Sequence, residues 1–253
     1  MASNIDDPVV EHGWTAVPLD ADAIFQGKPY LHEPTPVLVK DMHFPSDDPL
    51  VARIQQYAKE QLPLQTYNHS MRVFYWATAI LQQQFPSHAG ALSPSTLALA
   101  CLLHDIGTAP AFLTSTRLSF EFHGAITALN LLTSPPPSTT AQAEAVCEAI
   151  IRHQDLALGG VGLRAGTITL LGQVLQLATV YDNVGARAHV VHAATRDDVN
   201  RAFPRGGWAA CFADTVRREI AAKPWAHSTH IGGPGGELFV NAVEGNMLMK
   251  AYE

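Results

Sequence analysis

Between Thr96 and Leu103 the chain offers no charged face, and in TLALACLLHDIG the apolar residues surround the whole circumference of a helix. Such a helix buries its surface only when other elements pack on every side of it, so it must be central. Ser93-Pro94-Ser95 supplies its start and Gly107 its stop, so the helix is expected to run to Asp105. His104 and Asp105 stand together at its end. Burying an ionised carboxylate without a partner costs several kcal/mol. Two readings stand on this helix alone. The pair is either a core histidine beside an aspartate bonded to backbone, or two ligands of one cation.

The flanking segments carry helical periodicity. Leu64–Gln84 ends at Phe85-Pro86. Asp47-Asp48-Pro49 reads as a helix start. Phe120–Leu132 is closed by SPPPS, Thr140–Gln154 ends before a Gly-rich loop at 159–162, and Thr169–Asn183 ends at Gly185. Further helices are expected over Asp197–Ala202 and Trp208–Lys223. Alternating runs of β type are few, so the expected fold class is all-α, a helical bundle. Residues 1–48, irregular and rich in Pro and Asp, are expected to form an arm packed on one helical domain over 49–253. A content of 47% hydrophobic and 15% charged residues favours a large interior over disorder or a coiled coil.

Two more polar residues fall on inward faces. His69 shares a face with Val73, Trp76 and Ile80. Asp182 ends a stripe of Leu171, Val174, Leu175 and Ala178. Each alone is compatible with a hydrogen-bonded core residue. Together, His69, His104, Asp105 and Asp182 are two imidazoles and two carboxylates on separate helices, an N/O set suited to zinc, iron or manganese.

The order His69, His104-Asp105, Asp182, in the contexts NHSMRV and LLHDIG, resembles the H…HD…D signature of the HD-domain superfamily over residues 60–185. That resemblance implies an all-helical fold with one divalent metal held by those four residues. The segments SFEFHGA, AIIRHQDL and RDDVNRAFPRGGWAACFADTVRREI are in turn similar to the cyanamide hydratases of fungi and yeasts. This implies a hydro-lyase that adds water to cyanamide to give urea, a detoxification. Zinc is favoured because no redox step is needed, with Fe²⁺ or Mn²⁺ allowed. The superfamily mostly hydrolyses phosphate esters, so a nucleotide or phosphodiester hydrolase is the alternative. Against it, basic residues near the motifs are few (Arg72, Arg117, Arg152), and Thr108 stands where related phosphohydrolases often carry an acid. Arg72 is read as a structural partner for a carboxylate.

Candidate catalytic residues are Asp105, Glu121, His123 and His153; candidate substrate contacts are Thr108, Phe112 and Asp155. His123 and His153 have three open readings: groups just outside the metal ligands, plain core histidines, or ligands of a second metal. Trp208 and Phe203 are outside candidates for a pocket lining. His227 and His230, beside HIGGPGG, are assigned no role.

The net charge of −7 gives no basic footprint for nucleic acid or anionic lipid. The longest apolar run, Leu97–Leu103, is too short to span a bilayer, and MASNIDDPVVEHGW lacks the pattern of a leader. Cys101, Cys147 and Cys211 form no CxxC pair and read as free thiols in a reducing compartment. The expectation is a cytoplasmic homo-oligomer acting on a small neutral nitrile, with no nucleic-acid or membrane partner.

Overall fold

Caps and breakers fall where the helices begin and end. A computed structural model describes residues 7–135, 137–158, 161–232 and 236–253. Parts of the SPPPS, Gly159–Gly162 and HIGGPGG segments lie outside the described residues. Asp48 accepts from the Leu50 N–H and opens α3 (Pro49–Gln61), with Pro49 in the first turn. Pro63 precedes α4 (Leu64–Gln84). A short α5 (Pro86–Ala89) leads to Ser93, which caps α6 (Pro94–Leu103). Then come α7 (Phe120–Thr133), α8 (Thr140–Arg152), capped by Thr139, and α9 (Leu170–Val184), capped by Thr169. Gly185, at φ 68°, ends α9 in the left-handed conformation that glycine adopts without strain. The chain continues through α10 (Ala193–Ala202), α11 (Trp208–Ala222), α12 (Thr229–Gly232) and α13 (Glu237–Glu244). The architecture is all-α, with only short strand pairs.

α10 begins at Ala193 rather than Asp197, α8 ends at Arg152 rather than Gln154, α12 and α13 fall where no helix is expected, and three further details differ. α6 stops at Leu103, and a tight turn over Ile106–Thr108 follows Asp105, whose carbonyl accepts from the Thr108 hydroxyl at 2.7 Å. The arm contains regular structure: α1 (Pro8–Glu11), β1 (Ala16–Pro18) and α2 (Ala21–Phe25). β1 pairs antiparallel with β4 (Thr167–Thr169), with Ala16 opposite Thr169 and Pro18 opposite Thr167. Finally, β2 (Ala157–Leu158) and β3 (Val161–Gly162) form a small antiparallel ladder. Strands of two or three residues are too short for a period of two to register in a sequence.

α6 is buried on all sides, as its composition demands, and packs against α3, α4, α8 and α9. A second, smaller apolar cluster joins Trp208, Phe212 and Val216 of α11 to Phe239, Val240 and Val243 of α13. The polar residues of interest lie at the seam between this layer and the main core. No helix among the described residues is long and apolar enough to cross a membrane.

Candidate metal centre

α4 carries His69, and the end of α6 carries His104 and Asp105. Nε2 of His69 lies 3.1 Å from Nε2 of His104. Oδ2 of Asp105 lies 3.5 Å from the first nitrogen and 3.3 Å from the second. All three side chains are essentially inaccessible. Each imidazole has its other nitrogen engaged. Nδ1 of His69 donates to Asp182 Oδ2 at 2.7 Å, and Nδ1 of His104 donates to the Cys101 carbonyl at 2.8 Å. Both Nε2 atoms therefore present lone pairs to each other. Asp105 Oδ2 is buried and makes no hydrogen bond. Facing lone pairs and an orphaned carboxylate oxygen fit a divalent cation bound by three protein donors.

Protonation follows the same logic. Burial pulls His69 down to about 4, against the pull of Asp182, so the ring is neutral near pH 7 and ready to ligate. Asp105 is pushed the other way by burial, but His104 and His69 outweigh this and hold it at about 2. Burial lowers His104, yet the charge of Asp105 overrides it and raises the ring. A cation at this point would meet the same carboxylate charge.

Asp182 departs from the expected ligand set. Its Oδ1 accepts from Arg72 Nε and Trp76 Nε1, each at 3.0 Å. Its Oδ2 faces His69 Nδ1, Arg72 Nη2 at 2.9 Å and Arg205 Nη1 at 3.1 Å. Burial opposes its charge, but Arg72 and Arg205 hold the carboxyl well below the usual range. Three of the four expected ligands thus share one point, while Asp182 backs His69 from its other nitrogen. Helical spacing places Asp182 inward; it does not say which atom of His69 it will meet. Arg205, in the FPRGGW loop, has no periodicity to flag it, and was missed. Trp208, two residues after the Gly206 of that loop, stacks on the His69 ring at 4.2 Å and 13°.

The other candidates separate. His153 is buried with Nδ1 donating to the Ile150 carbonyl at 2.7 Å, which leaves the lone pair on Nε2. Its ring stands edge-on to His104, with centroids 5.3 Å apart, and burial and His104 lower its pKa. Glu121 is fully buried and neither carboxylate oxygen makes a hydrogen bond. Its Oε1 lies 3.4 Å from His227 Nδ1. His123 is only half-buried and its ring meets Phe112 edge-on at 5.2 Å. The structure does not bring this pair into the ligand group. The Thr108 hydroxyl is spent on the turn described above. Asp155 Oδ2 accepts from Arg152 Nε at 2.8 Å, and its Oδ1 lies 3.4 Å from His227 Nε2. Burial lowers His227, but Asp155 and Glu121 on its two sides raise it to about 9. His227 and His230 had a sequence signal, an i, i+3 histidine pair that one turn of helix brings together.

The HD-domain family model matches residues 66–184, which include all four motif residues. Two proteins of Saccharomyces cerevisiae, Cyanamide hydratase DDI2 and Cyanamide hydratase DDI3, are each 36% identical to this chain over 222 residues, covering 88% of it and 92% of their own length. With its H…HD…D motif inside the matched segment and this similarity across most of its length, the protein belongs to the HD-domain family, alongside these two yeast relatives.

Proposed function

We propose that the protein is a metal-dependent cyanamide hydratase, adding water to cyanamide to give urea. The 36% identity over 88% of the chain to two proteins named for that activity carries the reading. The site supports it on two counts. Its donors are closed off from solvent, which suits a substrate of very few atoms. Its nearby cations are paired with carboxylates, Arg72 with Asp182 and Arg205 with Asp182 and Glu253, so that only the buried Nη2 of Arg205 makes no hydrogen bond. A phosphate substrate asks for a cationic clamp that these two side chains do not leave free.

His69, His104 and Asp105 would hold a divalent cation, zinc fitting chemistry without redox, which would supply Lewis acidity able to lower the pKa of bound water to about 7. In the net reaction a water oxygen bonds to the nitrile carbon and one water proton passes to the nitrile nitrogen. The isourea so formed tautomerises to urea, and no group leaves. His153 would move that proton. Its ring is fixed through Nδ1, neutral, and offers Nε2 beside His104. Glu121, whose charge His153 feels, supports the positive ring while the proton is held there. Trp208 and Phe212 wall off water on the far side of His69. Free thiols suit a reducing, cytoplasmic setting, where removing cyanamide would be a detoxification.

Purified protein offered cyanamide and a nucleotide panel in separate assays, with elemental analysis of the same preparation, tests this. Urea formation with bound zinc is expected. Phosphate release without urea would reverse the assignment.

A further inference from the structure

Beyond the metal group of α4 and α6, a second cluster of donors lies where the end of α8 meets α12. Asp155, His227 and His230 each bring one ligand-type atom within 4.8 Å of the others. The nitrogens of His230 are already sorted. His230 Nδ1 donates to the His227 carbonyl at 2.5 Å, so its Nε2 bears the lone pair, and that atom is buried without a partner. The His227 and His230 rings stack with centroids 4.2 Å apart, which sets their edges side by side. Arg152 engages only Oδ2 of Asp155 by hydrogen bond. Oδ1 is left facing His227 Nε2.

The spacing is informative. His227 lies 3.4 Å from Asp155 on one side and 3.4 Å from Glu121 on the other. These are longer than charge-assisted hydrogen bonds, which run at about 2.7–2.9 Å. The one between the two proposed donors, Asp155 Oδ1 and His227 Nε2, falls within the 3.1–3.5 Å range seen among His69, His104 and Asp105. Glu121 is the independent sign. A fully buried carboxylate whose two oxygens make no hydrogen bond is costly, and its nearest polar partner is Nδ1 of His227. The arrangement parallels that of the first centre at a looser spacing, 3.4 Å between carboxylate and Nδ1 against 2.7 Å there. There Asp182 backs Nδ1 of His69 while Nε2 faces the ligand point; here Glu121 backs Nδ1 of His227 while Nε2 faces Asp155. A carboxylate behind the distal nitrogen of an imidazole is the usual way a metal-binding histidine is oriented.

We propose that Asp155, His227 and His230 form a second divalent-cation site, two imidazoles and one carboxylate, with Glu121 orienting His227 from behind. The donor set suits a zinc-class ion over calcium or magnesium, which prefer all-oxygen coordination. The site is partly open to solvent, unlike the first, so its ion exchanges more readily. It ties the 226–230 segment to the end of α8.

The test is zinc stoichiometry on the full chain after equilibrium dialysis at low-micromolar free zinc, read by elemental analysis. Two ions per chain are expected for the wild type. His230→Ala and His227→Gln should each bind one, and His69→Ala should lose the other. Circular dichroism on each variant separates loss of a site from loss of the fold. Cobalt substitution gives a second readout, because His230→Ala should remove one of two visible absorption components. One ion in the wild type, or a second ion that survives both His230→Ala and His227→Gln, would overturn the proposal. These readouts do not depend on cyanamide turnover, so failure here leaves the hydratase assignment standing, and the converse holds.

Discussion

A single carboxylate, Asp182, decides the state of the ring it touches. Flanked by Arg72 and Arg205, it stays ionised in a site with no solvent, and it fixes His69 as the tautomer whose Nε2 is free. Asp182→Asn keeps the shape and removes the charge. Metal affinity is expected to fall about 10–100-fold, as for other orienting partners of metal ligands, measured by competition with a zinc chelator. The two guanidiniums lose their shared counter-charge, so unfolding in urea should also show a loss of about 3–5 kcal/mol. His153 lies one step further from the cation. His153→Gln should leave metal content unchanged and lower kcat for urea formation by about 10²–10⁴-fold, the range of a lost proton-transfer group. Metal lost along with turnover would instead make His153 a ligand.

At the scale of elements, the turn after α6 and the start of α7 touch through Gly107. A Cβ there would lie 2.0 Å from the Phe120 carbonyl oxygen and 3.0 Å from the Gly124 nitrogen. Both are backbone, so neither yields without moving the helix. Gly107→Ala should therefore shift the first turn of α7, which carries Glu121, away from the HD turn. The expected outcome is a destabilisation of about 1–3 kcal/mol or more, in the manner of an overpacked core, with a fall in urea production. A melting curve and a steady-state assay on one preparation check both. Unchanged melting would mean that the two elements are not as tightly docked as the structure has them. α11 matters at this scale too: its Trp208 covers His69, so the second apolar cluster is the lid of the metal centre as well as a packing layer.

For the whole molecule, the candidate metal centre should couple stability to pH and to free metal. Asp105, at about 2, and Asp182, also depressed, are carboxylates whose folded pKa lies below the unfolded value. As pH falls, the unfolded chain takes up those protons first. The stability these groups contribute is complete above about pH 4, the ordinary aspartate range, and is lost as pH drops towards 2. Melting temperatures of chelator-treated protein across that window should decline, and the decline should be shallower in Asp182→Asn. Removing the metal at neutral pH acts separately. Free zinc at 100 times its dissociation constant stabilises by about 2.7 kcal/mol, so chelation should lower the melting temperature and zinc should restore it. A melting temperature indifferent to both would argue against a cation at His69, His104 and Asp105.

The sequence alone determined the main helices and the inward placement of the groups at the candidate metal centre. Composition demanded that the 94–103 helix be central, and periodicity turned His69 and Asp182 inward, because both depend only on residues a few positions apart. What the fold alone decided involves partners far apart in the chain. Asp182 meets His69 across 113 positions, and it meets the ring's far nitrogen because Arg72 and Arg205 hold it there. Trp208 over His69 and His227 between Glu121 and Asp155 arise in the same way, from loops and helix ends that have no period to read. Local spacing specifies which face of a helix a side chain occupies. Which atom it finds there is set by how the helices dock.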